Sequence, residues 1–432
     1  MLRDAQGLEV TTNSPDAIQA INHFVDQSLS YGKDIEQAIL QGIVADPTCA
    51  LAHAYAAAHY LSWESAEGRK WAVPHLKGAN CYQARATERE QLYIRAITAW
   101  AEGAVEQAIA GHEALVGKFP QDLLAIQQGQ YHYFYGGDQA GLLRIAEKAW
   151  AVHQDNHYLY GMIAFGLEQS HRLQEAETVG RQAIAMNRHD PWAHHAVAHV
   201  METQKRVEEG INWMESFADT WENCNSMLYT HNWWHVALYY LAQGDTRKVL
   251  ELYDTHIWGR AWKESPKDQI GAISLLMRLE LSGVSVGHRW QELSTYLPQR
   301  MHEHALPFQD LHYVYALARS GQTCLVTEMF LSMEAYAQTV QRSLKQVWTQ
   351  VAMPTGRAMV AYAEGDYRQT IARLKPILGK LWMLGGSHTQ RELFEQIYRD
   401  ALFRDQNYQQ NYFPQPHYPV PSFGQQSIAK AS

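Results

Sequence analysis

Apolar residues recur at helical spacing along most of this 432-residue chain, and the alternation typical of β-strands is nearly absent. The stretch TEREQLYIRAITAWAEGAVEQAIAGHEALVGKFPQD, residues 87–122, predicts two helices that separate at AEGA and end at KFPQD. Thr87 stands at an N-cap position, and Glu90 three residues later completes a capping box. Small residues where the helices cross, Gly at the turn and Pro after the second helix indicate a helix-turn-helix repeat.

The same unit returns along the chain, at 34–60, 166–191, 199–221, 239–254 and 361–378. Ala176 and Gly210 occupy the same place in consecutive units and lie 34 residues apart, which is the tetratricopeptide period. The spacing is irregular between 255 and 350. We therefore predict an all-α protein, a right-handed α-solenoid of degenerate tetratricopeptide-like helix pairs over residues 1–405, curved around a central polar and aromatic pocket.

The C-terminal segment, residues 406–432, changes in character and is predicted as a separate tail rich in Pro and aromatic residues. Pro414, Pro416, Pro419 and Pro421 exclude a helix there. Its aromatic side chains could pack along the array in polyproline form, or the tail could be mobile, and the sequence favours neither alternative.

Composition narrows the classes of partner. Hydrophobic residues make up 46% of the chain, enough for a core, and 14 Trp, 24 Tyr and 22 His add many rings with polar edges. The net charge of -9 and the lack of a large basic cluster argue against nucleic acid and against a membrane surface. Four separated cysteines without CxxC, and no apolar run of membrane or signal-peptide length, predict a cytoplasmic protein.

Two short segments concentrate histidine. In PWAHHAVAHVMETQ, His195, His199 and Glu202 follow i, i+4, i+7 and share one helical face. In HNWWH, His231 and His235 are also four apart. The segments begin one helix pair apart, and equivalent helices of neighbouring repeats lie side by side. The sequence therefore predicts that the two histidine pairs face a common space.

Imidazoles in such a group can bind a metal, transfer protons near neutral pH, or hydrogen-bond a ligand. The i, i+4 spacing is compatible with a divalent metal, with Glu202 as a further ligand or as an orienting group. No HExxH motif is present, so the three uses stay open. Ordinary packing, in which each His bonds a backbone carbonyl or a Tyr hydroxyl, also stays open as an alternative.

Other segments carry polar residues at helix starts. Asp268 opens SPKDQIGAISLLMRLEL, where an acid is favourable for the helix dipole alone, and Asp310 and His312 open PFQDLHYVYALARSG. In LGGSHTQRELFEQIYRDAL, Ser387 or Thr389 is expected to cap a helix. Arg391 in its first turn opposes the dipole preference and indicates an anionic partner.

The chain resembles the tetratricopeptide repeat protein 38 family. The resemblance rests on TEREQLYIRAITAWAEG, GMIAFGLEQSHRLQEAE, DPWAHHAVAHVMETQKRVEEGINWM, HNWWHVALYYLAQGD, DQIGAISLLMRLELSGVSVGHRW, FQDLHYVYALARSG and GGSHTQRELFEQ, which run in order over residues 87–394. It implies an all-helical repeat fold but no particular reaction. The family-like polar positions are His195, His199, Glu202, His231, Asn232, Trp234, His235, Asp268, Asp310, His312, His388, Gln390 and Arg391. The chain departs from the family pattern at Gly129, Gln130, Gly271 and Ala272.

Our leading hypothesis is an interior pocket that binds a small molecule, with acid-base chemistry by histidines and hence an enzyme of undetermined reaction. The predicted catalytic residues are His195, His199, Glu202, His231, His235, Asp310 and His312. The predicted substrate-binding residues are Trp192, Trp233, Trp234, Asn232, Asp268, His388, Gln390, Arg391, His132 and Tyr131. The alternative is a scaffold with protein partners or a second copy of the chain, the common role of such arrays, although the groove segments carry few Lys residues for a carboxylate clamp. A third reading is that the His and Trp residues only support unusual helix packing.

Overall fold

The computed structural model describes residues 1–412, with side chains through 406. The predicted tail therefore lies outside the described residues from 413 onward, while 406–412 continue the last helix.

The described chain is helical apart from one small hairpin at its start, formed by β1 (Leu2–Arg3) and β2 (Glu9–Val10). The first half contains α1 (Pro15–Leu29), α2 (Ile35–Ala45), α3 (Ala50–Leu61), α4 (Ala66–Tyr82), α5 (Glu88–Ala101), α6 (Val105–Lys118), α7 (Leu123–Gly136), α8 (Gln139–Glu147), α9 (His157–Gln169), α10 (Leu173–Met186) and α11 (Pro191–Thr203). The second half contains α12 (Val207–Glu215), α13 (Ser226–Gln243), α14 (Thr246–Leu252), α15 (Pro266–Leu281), α16 (Arg289–Ser294), α17 (Pro307–Arg319), α18 (Thr323–Thr339), α19 (Arg342–Val347), α20 (Met353–Ala363), α21 (Tyr367–Leu374) and α22 (His388–Tyr412).

Consecutive helices pack as pairs, and the first helix of each pair also packs against the first helix of the next, as along α9, α11, α13, α15 and α17. This arrangement confirms the predicted all-α solenoid. The capping box is present as predicted, because the Thr87 hydroxyl accepts from the Glu90 amide at 3.3 Å and the Glu90 carboxylate accepts from the Thr87 amide at 2.7 Å. The predicted break at AEGA is a turn at Gly103, whose φ of 72° suits a residue without Cβ.

The equivalent positions Ala176 and Gly210, which define the 34-residue period, require small side chains for a steric reason. A Cβ on Gly210 of α12 would stand 2.2 Å from the ring of Tyr239 on α13. Ala176, at the equivalent place on α10, is buried. Small residues here let the second helix of one repeat approach the first helix of the next closely.

The predicted irregularity between 255 and 350 is also present. The helices α14, α16 and α19 are short, and two of them pass into π-helical turns at Tyr253–Ile257 and Trp348–Ala352. These turns insert an extra residue into the helical ladder and shift the repeat spacing.

The solenoid curls until distant repeats touch. The Asn225 amide donates to the Tyr31 carbonyl at 2.6 Å, and the Lys267 ammonium donates to the Ser62 carbonyl at 2.8 Å. From the other end, α22 packs on α15, and the 3₁₀ segment Lys375–Leu384 packs on α7. The chain therefore closes around a central hollow.

Two large hydrophobic clusters form the core, one from the N-terminal repeats and one from the C-terminal repeats, and both include residues of α11. The histidine segment of α11 therefore lies where the two halves of the core meet. Over the described residues, every helix is too short or too polar to cross a membrane.

Candidate functional site

The central hollow is a cavity of about 590 Å³ lined by first helices of many repeats and by the start of α22. Its wall combines many aromatic side chains, including Trp100, Phe134, Phe165 and Phe308, with polar ones. The predicted central polar and aromatic pocket is thus present, with a volume in the range that encloses small molecules.

Four imidazoles meet at one wall of this cavity. His195, His199, His231 and His235 each offer a ring nitrogen, and these nitrogens all lie within 4.8 Å of one another. The Nε2 of His195 is 3.1 Å from the Nε2 of His199 and 3.1 Å from the Nε2 of His231. We call these four residues the histidine cluster. The prediction that the two pairs face a common space is confirmed.

The local sequence explains how α11 and α13 present these rings. Asp190 caps α11 by accepting from the Ala193 amide at 2.9 Å, and Asn225 caps α13 by accepting from the Leu228 amide at 3.0 Å. The Tyr239 hydroxyl then donates to the Ala198 carbonyl at 2.6 Å and joins the two helices. The i, i+4 spacing then places both histidines of each helix on the same helical face.

Burial keeps the cluster neutral. It lowers the pKa of His235 to about 3, with the positive charge of Arg278 as a further cause. Burial and neighbouring imidazoles also hold the pKa values of His195, His199 and His231 well below the usual range. Neutral rings each carry one nitrogen lone pair, which is the form that accepts a proton or binds a metal.

Two carboxylates stand behind the cluster. The Nδ1 of His235 lies 3.1 Å from Oε2 of Glu202, and the Nδ1 of His199 lies 3.9 Å from Oε2 of Glu168. Burial raises the pKa of Glu202, and it raises that of Glu168 to about 8. Sequence reasoning missed Glu168, although it lies in GLEQSHRLQEAE. An acid inside the otherwise apolar helix α9 was the available signal.

Other predicted residues also reach the cavity wall: Trp192, Trp234, Asp268, Gln390, Tyr131 and His312. Trp192 stacks on His195 with ring centroids 4.6 Å apart, and Trp234 stacks on His231 at 5.3 Å. Gln390 also serves the helix start, since its side chain accepts from the Ser387 amide at 2.9 Å. Ser387, rather than Thr389, caps α22.

Asp268 has a particular environment. Its Oδ1 accepts from the hydroxyls of Ser226 and Thr230, both at 2.8 Å, whereas its buried Oδ2 has no partner within the protein. Burial raises the pKa of this carboxyl. Trp234 leaves a second unpaired polar atom, its indole Nε1, on the same wall.

Glu202, His235, His388 and Arg391 do not line the cavity wall, and four further predicted residues lie away from it. Trp233 stacks on His256 with centroids 3.9 Å apart, and Asn232 donates to the Pro191 carbonyl at 3.4 Å. His132 packs against His112 at 5.5 Å. Asp310 accepts from His304 at 2.6 Å, and burial raises its pKa to about 6. A role for these four in binding or catalysis stays a prediction.

At the start of α22, two predicted residues bond the protein itself. Arg391 donates to the Gly386 carbonyl and lies 3.2 Å from Nδ1 of His388, whose Nε2 is 2.9 Å from the Gln169 carbonyl. The charge of Arg391 also interacts with the carboxylates of Glu168 and Glu395. An anion-binding role for Arg391 stays a prediction.

Sequence reasoning also missed Arg278, a buried cation on α15. It donates to the Ser274 hydroxyl at 2.5 Å and to the Thr389 carbonyl at 2.7 Å, and its guanidinium lies 5.2 Å above the Trp234 ring. Burial lowers its pKa to about 10. A charged residue within SLLMRLEL was the signal that could have identified it.

Comparison with protein-family models gives no match. Solved structures with a similar fold include a Rap protein complexed with Competence and Sporulation Factor, at 13% identity and a TM-score of 0.45, covering 75% of this chain and 99% of that chain. A human IFIT1 dimer with m7Gppp-AAAA is 13% identical with a TM-score of 0.37, over 95% and 98% of the two chains. The P58(IPK) TPR domain is 12% identical with a TM-score of 0.21, over 74% and 99%. At these identities the similarity concerns the helical-repeat fold alone.

Proposed function

We propose that this chain binds a small, largely aromatic or apolar molecule in its central cavity, and that the histidine cluster acts on it. The observation that carries the proposal is Asp268, a residue of the cavity wall whose carboxylate oxygen Oδ2 is buried without a protein partner. A buried polar atom left unpaired costs free energy, and a ligand that donates a hydrogen bond would remove that cost. Trp234, another residue of this wall, leaves its buried indole Nε1 unpaired, which suits an acceptor on the same ligand.

The form of the cavity supports a small ligand over an extended peptide. The concave side of the solenoid is closed by its own repeats, through contacts such as Asn225 with Tyr31 and Lys267 with Ser62. An extended peptide needs an open groove along several repeats. The scaffold alternative is therefore less well supported than a small-molecule pocket.

Membership of the tetratricopeptide repeat protein 38 family is part of this proposal. Its support is that three of the quoted motifs, AHHAVAHVME, HNWWHVAL and GGSHTQR, meet around one cavity. Motifs that are far apart in sequence but surround one cavity can serve one function, as is expected of the motifs that define a family. A cytoplasmic location and a ligand other than nucleic acid are proposed on the composition and the net charge of -9.

The cavity can be blocked without disturbing the core. Gly271 of α15 lies on the cavity wall, and a Cβ added there meets nothing within 4 Å. Gly271→Leu therefore places a side chain in the hollow. Gly117→Leu is the matched control, because Gly117 is also helical and open but lies on the exposed side of α6. Both changes replace a helical glycine and should stabilise the helix by a similar amount, about 0.5–1 kcal/mol.

N-Phenyl-1-naphthylamine, a neutral aromatic amine whose fluorescence rises in apolar surroundings, is the probe for binding. We expect saturable binding with one site per chain for the unsubstituted protein and for Gly117→Leu, and at least about tenfold weaker binding for Gly271→Leu. Equal binding to all three proteins would contradict the proposed pocket.

Chemistry at the cluster needs a separate test. We expect the purified chain to deplete one or more components of a cell metabolite extract, as measured by mass spectrometry, and His231→Gln to leave them intact. His189→Gln, at an exposed position, is the control for the substitution. If no component changes while the probe still binds, the protein binds its ligand without converting it.

A further inference from the structure

The inward nitrogens of the histidine cluster cannot all be satisfied by one another. A neutral imidazole has one N–H and one lone pair, so each ring nitrogen takes part in one good hydrogen bond. The Nε2 of His195 faces two others at 3.1 Å, those of His199 and His231, so one of the two contacts lacks a hydrogen bond. The Nε2 of His235 is buried without any partner. Every placement of the protons leaves an unpaired nitrogen within the cluster.

The outer nitrogens of two rings have partners, whereas the Nδ1 of His195 is buried without one. The Nδ1 of His235 faces the Glu202 carboxylate at 3.1 Å, and the Nδ1 of His199 lies 3.5 Å from the Thr389 hydroxyl. A carboxylate that accepts from Nδ1 of His235 leaves the lone pair of that ring on Nε2, which is buried without a partner. A histidine that binds a metal through one nitrogen commonly donates from the other to such a partner.

The dimensions of the cluster match a first-row transition ion. A tetrahedral ion with bonds of about 2.0–2.1 Å to nitrogen holds its ligand atoms about 3.4 Å apart. This separation lies between the observed 3.1 Å contacts and the 4.8 Å limit of the cluster. The donors are all imidazole, which suits Zn²⁺, Cu²⁺ and Ni²⁺, whereas Mg²⁺ and Ca²⁺ prefer oxygen.

We propose that His195, His199, His231 and His235 form a binding site for a divalent transition-metal ion such as Zn²⁺. Glu202 and Thr389 act as positioning residues through His235 and His199.

The ion would stand in the cavity wall, because His195, His199 and His231 all line the cavity. In this respect the inference extends the proposed function, since a ligand in the cavity could reach the ion. The metal site itself depends only on the four imidazoles and is tested without any organic ligand.

The experiment is a Zn²⁺ titration of the full chain after removal of metal with a chelator, followed by elemental analysis. We expect one tightly held equivalent per chain, not displaced by Mg²⁺. His199→Gln and His235→Gln should weaken binding by more than about 100-fold, because each removes a ligand. His194→Gln is the matched control, since His194 is buried on the same helix but faces Trp221 and the Arg188 carbonyl, and it should bind like the unsubstituted chain.

Failure to retain an equivalent of Zn²⁺, or equal retention by His199→Gln and His235→Gln, would overturn the proposal. If a variant unfolds by circular dichroism, Co²⁺ is added to the unsubstituted protein instead. We then expect the intense visible absorption of a tetrahedral nitrogen-ligated ion, and the weak spectrum of hydrated Co²⁺ would refute the site.

Gly271→Leu separates this proposal from the proposed function. That variant should lose N-phenyl-1-naphthylamine and keep Zn²⁺, because it blocks the cavity and leaves the histidines in place. If the unsubstituted chain binds the probe but not Zn²⁺, only the proposed metal site is refuted. If the unsubstituted chain binds Zn²⁺ but not the probe, only the proposed binding of an organic ligand is refuted.

Discussion

Two places in this molecule bury histidines against each other, and they differ in what surrounds the rings. His112 of α6 and His132 of α7 pack with ring centroids 5.5 Å apart, and the histidine cluster packs its rings at 4.5–5.0 Å. Burial lowers the pKa at both places, to about 4 for His112 and about 3 for His235. By ring spacing and charge state alone, the two places look alike.

The outer nitrogens of His199 and His235 separate them. In the described structure, both ring nitrogens of His112 and the Nε2 of His132 are buried without a hydrogen-bond partner, and neither residue lines the cavity. The cluster has Glu202 and Thr389 behind its rings and the cavity in front of three of them. The comparison teaches that burial alone does not distinguish a ligand-binding imidazole from a core one, whereas a partner on the outer nitrogen and an adjoining hollow do.

The largest expected effect is loss of stability in acid. The pKa values of these histidines are lower in the folded chain than the value of about 6.5 in an unfolded chain, so the unfolded state binds protons first as the pH falls. The free energy of unfolding is therefore highest above about pH 6.5, and it falls as the pH drops below this value. We expect each buried ring to cost about 2–3 kcal/mol between about pH 7.5 and about pH 4.5 in metal-free protein.

Urea unfolding at the two pH values measures this loss. His112→Leu removes one such ring. Its free energy of unfolding should therefore fall by about 2–3 kcal/mol less than that of the unsubstituted chain between the higher and the lower pH. His189→Leu, at an exposed position, is the control. A difference between His112→Leu and the unsubstituted chain that does not change with pH would contradict the role of burial.

An intermediate effect concerns the carboxylate that distinguishes the cluster. Glu202→Leu removes the partner of Nδ1 of His235, so the ring loses its orientation. We expect the Kd for Zn²⁺ to rise by about 10–100-fold, as calorimetry would measure. Glu208→Leu, exposed on α12, should leave the Kd unchanged. An unchanged Kd for Glu202→Leu would show that the carboxylate does not position the ring.

The smallest effect is expected at the other place. His112→Leu replaces a buried ring with two unpaired nitrogens by an apolar side chain of similar size. At about pH 7.5 we expect its free energy of unfolding to rise by about 1 kcal/mol. His235→Leu should instead lower it, because Glu202 loses its partner. Stabilisation by both substitutions would remove the distinction between the two places.

Much of this arrangement could be predicted from local patterns. The i, i+4 histidines share a helical face by the geometry of one turn, and repeats 34 residues apart place equivalent helices side by side. Residues that act across repeats could not be assigned in this way. Glu168 lies on α9, and whether its side chain faces the cluster depends on the rotation of that helix against α11.

The same limit explains the residues that lie elsewhere. His132 has the residue type and helical setting of a pocket histidine, yet it faces His112. Asp310 and His312 are two residues apart on α17, so they project from different faces, and only His312 reaches the cavity. Sequence spacing shows that two side chains diverge, but it does not show which one faces inwards.

The sequence by itself determined the helical repeats, their period and the pairing of histidines within each helix, because these depend on contacts within one or two turns. Only the tertiary structure decided that the solenoid closes on itself and which rings face the hollow. Closure depends on contacts between residues such as Tyr31 and Asn225, nearly two hundred positions apart. Their approach is the sum of small rotations at every helix pair, and no local pattern records that sum.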